Sequence, residues 1–198
     1  MNNTGQGHAW CNRRRWIGIA AGAGALTAIP AWALQDETKG TRWTQPDLAR
    51  ELSPEEHVSA KSSRLVVHAL QLKREGGYNC AELVLTAVLK SYNLPQKTSE
   101  AAAAFGGGIG HGEVCGFLTG ASMALGVLAF KSGGERAEVK QRLKGWNDAL
   151  WMWWKNLAPL ACRDLRPHYN KAGFENMLIR VCLQVEKIVA VSSVPANR

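Results

Sequence analysis

The sequence predicts an all-α protein, a compact bundle of five or six helices. Three observations carry this. Apolar residues recur at three- and four-residue spacing over most of the chain after residue 53. Capping and stop residues (Ser53-Pro54, Gly76-Gly77, Asn79, Pro95, Ser132-Gly133-Gly134, Pro159) separate these stretches. No alternating run flanked by a hairpin turn pair is present. At 198 residues the chain is long enough for one domain with a real core.

Ser53-Pro54-Glu55-Glu56 opens the first helix, with a capping serine, a proline at the first position and two acids in the first turn. Val58, Leu65, Val66, Ala69, Leu70 and Leu72 carry it to Arg74, and Gly76-Gly77 ends it. Asn79 caps a second helix, Cys80 to Tyr92, with Leu83, Val84, Ala87 and Val88 as its apolar stripe. Thr98 to Phe105 predicts a short alanine-rich helix. Cys115 to Phe130 is apolar on every side, so it predicts a buried helix. Its Gly116, Gly120 and Gly126 suggest close helix approach. Glu135 to Leu157 is a long helix whose Trp146, Trp151, Trp153 and Trp154 read best as helix packing. Phe174 to Val191 is the last, with Met177, Leu178, Val181, Cys182, Val185 and Val189 on one face.

Outside this region, residues 1–33 have the layout of an export signal. Arg13-Arg14-x-Trp16-Ile17 fits the twin-arginine pattern, a weakly apolar stretch runs to Ile29, and Ala31-Trp32-Ala33 is a small-x-small site with cleavage expected after Ala33. The apolar stretch is short and rich in glycine and alanine, which disfavours an uncleaved membrane anchor. The expected destination is the periplasm or an equivalent extracytoplasmic space, with the twin-arginine translocase as partner during export. Residues 34–53 read as a polar linker or arm, 54–191 as the helical four-cysteine domain and 192–198 as a tail. The formal charge is +8, and three of those charges lie in the signal, leaving +5 without a Lys/Arg block. That balance speaks for solubility and against nucleic-acid binding.

Five glycines fall between Gly106 and Gly112, just before Cys115. A dinucleotide loop needs Gly-x-Gly-x-x-Gly between a strand and a helix. In the registers that start at Gly106, Gly108 and Gly110, the third glycine is replaced by His111, Glu113 and Cys115, and the preceding segment is a helix former. Nucleotide binding is therefore not expected. The loop instead sets up Cys115 at a helix start, where free backbone N–H groups and the helix dipole favour a thiolate. Cys80 holds the same position behind Asn79. His111 stands four residues before Cys115, as a surface residue or as an added ligand or proton carrier.

Four cysteines follow the signal: Cys80, Cys115, Cys162 and Cys182. No two form Cys-x-x-Cys, which leaves out a thioredoxin motif, a zinc ribbon and covalent c-type haem attachment. Three readings stay open. The cysteines form two structural disulfides, or gather as thiolate ligands of an iron–sulfur cluster, or include a reversible redox pair.

Gly77-Tyr78-Asn79-Cys80-Ala81-Glu82, Phe105-Gly106-Gly107-Gly108-Ile109-Gly110 and Cys115-Gly116-Phe117-Leu118-Thr119-Gly120, followed by single cysteines at 162 and 182, resemble the C_GCAxxG_C_C family of redox-active proteins. That family has four cysteines and a Cys-Gly-Ala-x-x-Gly signature, and is related to a domain of split-Soret cytochrome c. The resemblance spans Gly76 to Val189. It implies a redox role for Cys80, Cys115, Cys162 and Cys182, as cluster or metal ligands or as cycling thiols, with electron transfer to a redox partner protein as the task. Cys80 and Cys115 are the first candidates for redox-active thiols. The chain would then be an electron carrier or an oxidoreductase. The alternative is a disulfide-stapled helical binding module. One position departs from the family: Phe117 stands where the signature has alanine.

Overall fold

The computed structural model describes residues 51–191. The export signal, nearly all of the arm and the tail lie outside the described residues. Within them the chain is helical, with no strand. The elements are α1 (Pro54–Ser62), α2 (Arg64–Glu75), α3 (Cys80–Ser91), 3₁₀ turns over Gln96–Phe105, a π-type turn over Gly108–Gly112, α4 (Gly116–Lys131), α5 (Arg136–Leu157), the short α6 (Cys162–Leu165) with a 3₁₀ turn at Arg166–His168, and α7 (Lys171–Val191).

The first expected helix divides in two. Ser63 has extended backbone (φ −80°, ψ 115°), and its hydroxyl accepts from the Val66 N–H at 3.0 Å, so it caps a new helix. Serine competes for backbone groups in this way more readily than most residues. The same hydroxyl donates to Glu186 Oε1 at 2.9 Å, which binds the break to α7. Helix α1 buries no residue of its own. It is held by Arg180 of α7, which is buried and reaches Glu56 at 3.0 Å, while Glu56 also accepts from the Ser53 N–H at 2.8 Å.

Helix α3 lies at the centre. All residues from Leu83 to Leu89 are buried, and it packs on α2, α4, α7 and the 3₁₀ segment. Helix α4 is its main neighbour and is buried along most of its length, as an all-apolar helix must be. Helices α5 and α7 cover α4 from the other side. Each fully buried leucine here, such as Leu85, Leu125 or Leu178, contributes about 1.5–3 kcal/mol through removal of apolar area from water. Of the four tryptophans on α5, Trp146 and Trp154 enter the core, and Trp154 Nε1 donates to the Pro159 carbonyl at 3.2 Å. Trp151 is exposed, so the expected helix packing does not extend to it. Among the described residues no helix is long and apolar enough to cross a membrane.

Candidate redox site

Three loops converge at one end of α3 and α4. Asn79 fixes the first. Its side-chain oxygen accepts from the N–H groups of Ala81 and Glu82 at 3.0 and 3.1 Å, and its amide donates to the Ala103 carbonyl at 3.0 Å. Cys80 thus stands in the first turn of α3, tied to the 3₁₀ segment.

The second is the glycine loop. Gly107, Gly108, Gly110 and Gly112 all have positive φ, the region where a side chain costs most and glycine least. Gly108 shows why: a β-carbon there would lie 2.9 Å from the Cys162 Cβ and 2.4 Å from the Glu113 nitrogen. Ile109, within this loop, also has positive φ (57°) and is exposed. That conformation costs a non-glycine residue roughly 1–2 kcal/mol.

The third is the connector before α6. Val114 and Ala161 form an isolated antiparallel bridge. The Cys115 N–H donates to the Leu160 carbonyl at 3.0 Å, and the Cys162 N–H to the Glu113 carbonyl at 2.6 Å. Cys115 and Cys162 are therefore held on crossing segments by a pair of backbone hydrogen bonds. Arg163 pairs with Glu113 through both carboxylate oxygens, closing the outer edge. Asp164 and His168, four apart in the sequence, lie on this turn, but the ion pair that forms there is Arg163 with Glu113.

The Cys-Gly-x-x-x-Gly spacing now has a physical reason. A β-carbon on Gly116 would meet the Cys80 Cβ at 3.1 Å, and one on Gly120 would meet the Ala81 carbonyl oxygen at 2.6 Å. The two glycines, one helical turn apart, let α4 lie directly on the start of α3, which brings Cys115 to Cys80.

Cys80, Cys115 and Cys162 interact electrostatically with one another. Cys115 and Cys162 are buried, and Cys80 is half-buried. Burial pushes the Cys80 thiol up to about 12, with the neighbouring Cys115 and Cys162 adding to the shift. Arg166 opposes it, and its guanidinium lies over Gly107 at 2.8 Å from where a β-carbon would stand. Burial likewise pushes Cys115 up to about 11, against the Phe117 and Leu118 N–H groups at the start of α4. The expected helix-start effect is thus present but outweighed: desolvation disfavours the charged sulfur more than the backbone favours it. Both are protonated thiols at neutral pH.

Tyr169 completes the site. Its hydroxyl is buried beside Cys115, without a hydrogen bond of ordinary geometry to nitrogen or oxygen. Burial, and then the three cysteines, push its pKa well above the usual phenol range, so it stays neutral. Phe117 packs edge-on against Tyr169 (ring centroids 6.1 Å apart) and at a tilt against Phe174 (5.0 Å). The residue that departs from the signature fills the space behind the sulfur with an aromatic cluster.

Cys182 is not part of this group. It is fully buried in α7, its thiol is raised by burial and then by Glu186, and it lies eight residues past Phe174, about 12 Å along the helix axis. His111 is exposed at the far end of the glycine loop. Among the described residues no three His, Cys, Asp or Glu side chains are arranged to hold a metal ion. Thiolates suit an iron–sulfur cluster chemically, but a cluster on all four cysteines does not fit a set from which Cys182 is separated. A groove of about 630 Å³ between α5 and α7 is lined by Gly145, Trp146 and Ile188 and by no cysteine.

Arg166 and Tyr169 escape a reading based on cysteines alone. The signal for Arg166 is its place four residues after Cys162, one helical turn on. Nothing local marks Tyr169, because its partners come from α4 and α7.

Fold and site define a class: an all-α protein with a buried multi-thiol centre at the start of two crossed helices. The sequence pattern described as "Putative redox-active protein (C_GCAxxG_C_C)" matches residues 78–191, more than half of the chain, and the chain belongs to that family. No curated protein and no solved structure matches it.

Proposed function

We propose that this is an exported thiol–disulfide redox protein whose working group is Cys80, Cys115 and Cys162. The carrying observation is that three thiols from three separate segments are mutual neighbours, held by backbone contacts and by glycines that admit nothing larger. In the reduced state two of these thiols give two electrons and two protons to a partner's disulfide. A disulfide forms within the trio, and the partner leaves as a dithiol. The exchange runs through a mixed disulfide, with the second thiol displacing the partner. Tyr169, a neutral phenol beside Cys115, is a hydrogen-bond donor for that sulfur when it carries charge. The twin-arginine-like signal supports the extracytoplasmic setting.

Cys182 weighs against the stapled binding module. Two permanent disulfides would require it to pair with one of the trio, whereas the charged group acting on its buried thiol is Glu186. The test is a thiol count. Purified protein, reduced without air, is equilibrated across glutathione buffers and assayed for free thiols, iron and sulfide. Two thiols are expected to disappear and return reversibly, with no bound iron. A count that never changes contradicts the proposal, as does stoichiometric iron and sulfide.

A further inference from the structure

Each segment that brings a cysteine to the site also carries an exposed large apolar side chain close by in the chain. Tyr78 precedes Cys80 by two residues and is 38% exposed. Leu160 precedes Cys162 by two and is 41% exposed, and its carbonyl is the one bonded to the Cys115 N–H. Ile109, in the loop leading to Cys115, is 48% exposed. Ile109 is also held in the left-handed region, where glycine surrounds it and would serve with less strain. A strained, branched, water-facing residue gains nothing by packing in the free protein. Such strain concentrates where a surface is used.

Of the charges on the turn after Cys162, Arg166 is the one that acts on Cys80. Arg163 is paired with Glu113. Arg166 is exposed and has no carboxylate partner among the described residues; Asp164, on the same turn, makes no ion pair with it. Cys80, on which Arg166 acts, is the half-buried thiol of the three.

We infer that the face formed by Tyr78, Ile109 and Leu160 around Arg166 docks a partner protein that presents a disulfide within an acidic, apolar surface, and that Cys80 is the sulfur that receives it. This rests on the dithiol reading above. The Cys80 sulfur attacks the partner's disulfide, forming one mixed S–S bond and releasing one partner thiolate. Cys115 or Cys162 then attacks the Cys80 sulfur, forming the internal disulfide and releasing the second partner thiolate. Protons from the two protein thiols balance the two thiolates released.

Three probes test it on the reduced full chain. Two are short peptides whose cysteine carries a thionitrobenzoate disulfide, one flanked by glutamate and leucine and one by lysine and leucine. The third is 2,2′-dithiodipyridine, small and uncharged. Each peptide's rate is taken relative to dithiodipyridine for the same protein. The glutamate peptide is expected to react about tenfold faster than the lysine peptide at low salt. Arg166→Gln brings that ratio close to one. Ile109→Gly, which relieves the backbone, lowers both peptide rates a few-fold relative to dithiodipyridine. In a Cys115→Ser/Cys162→Ser protein the trapped peptide is found on Cys80. A native ratio near one overturns the inference, as does a ratio that survives Arg166→Gln or an adduct on Cys182. If dithiodipyridine forms no disulfide within the trio, the dithiol reading itself fails. If it does and the peptides show no preference, only the docking face fails.

Discussion

Gly116 lies against Cys80: a β-carbon on the glycine would stand 3.1 Å from the Cys80 Cβ. Gly120 is closer still to α3, at 2.6 Å from the Ala81 carbonyl oxygen, where the obstacle is backbone and cannot turn aside. Gly126, on the same helix, meets nothing within 4 Å. The three alanine substitutions should therefore separate. Gly120→Ala is expected to lower stability by about 1–3 kcal/mol through overpacking, and Gly116→Ala by less. Gly126→Ala should be neutral or stabilising by up to about 1 kcal/mol, from helix propensity alone. Urea midpoints of the reduced proteins give the order, and equal effects at all three sites would contradict the close approach.

Phe117 gives a second prediction. Phe117→Ala restores the residue of the family signature but removes a ring packed against both Tyr169 and Phe174. The expected cost is roughly 3–5 kcal/mol. The same change opens space beside Cys115, so its alkylation by iodoacetamide should quicken in the native state. A stable variant with unchanged Cys115 reactivity would show that the ring does not shield the sulfur.

The thiols also set a pH dependence. In the unfolded chain these cysteines ionise near 9, while in the fold burial holds Cys115 at about 11 and Cys80 at about 12. Between those values the unfolded chain has released protons that the folded protein keeps. The unfolded state then binds fewer protons, so stability falls as pH rises. The contribution is complete below the unfolded value of 9 and is lost progressively up to about 11 for Cys115 and 12 for Cys80. The limiting slope is about 1.4 kcal/mol per pH unit for each thiol. Denaturant unfolding of the reduced protein from pH 7 to pH 10.5 measures it. A Cys80→Ala/Cys115→Ala protein should lose these two contributions and keep that of the buried Cys182, and an unchanged slope would place its origin elsewhere.

Cys182 separates the thiol exchange from a four-thiolate centre. It is buried in α7 away from the trio, so Cys182→Ala should cost about 1 kcal/mol, the central value for single substitutions. Reversible loss of two thiols should persist in that variant and vanish in Cys80→Ala/Cys115→Ala, which leaves one thiol of the trio. Abolition of redox behaviour by Cys182→Ala would favour a centre built on all four cysteines.

Much of this was legible in the residues. The helices announce themselves by caps and apolar spacing, and Asn79 and the run after Cys115 lie where the structure starts α3 and α4. The break at Ser63 was not legible, because it depends on Glu186 of α7, 123 residues away. The bridge of Val114 with Ala161 was hidden for the same reason. Helix-start positions suggested ionised sulfurs for Cys80 and Cys115, but local sequence carries no measure of burial, and burial outweighs the helix start. Spacing could place four cysteines in order; only the crossing of α3 and α4 through Gly116 and Gly120 separates three of them from Cys182.

The most direct measurement identifies the sulfurs that exchange. Protein equilibrated without air in oxidising and reducing glutathione buffers is quenched in acid, alkylated with light and heavy reagents before and after reduction, and mapped by peptide mass spectrometry. A disulfide joining two of Cys80, Cys115 and Cys162, with Cys182 alkylated as a free thiol in every buffer, is the expected result. A disulfide that includes Cys182, or four thiols that stay unchanged across the whole range, would contradict a redox centre built on these three residues.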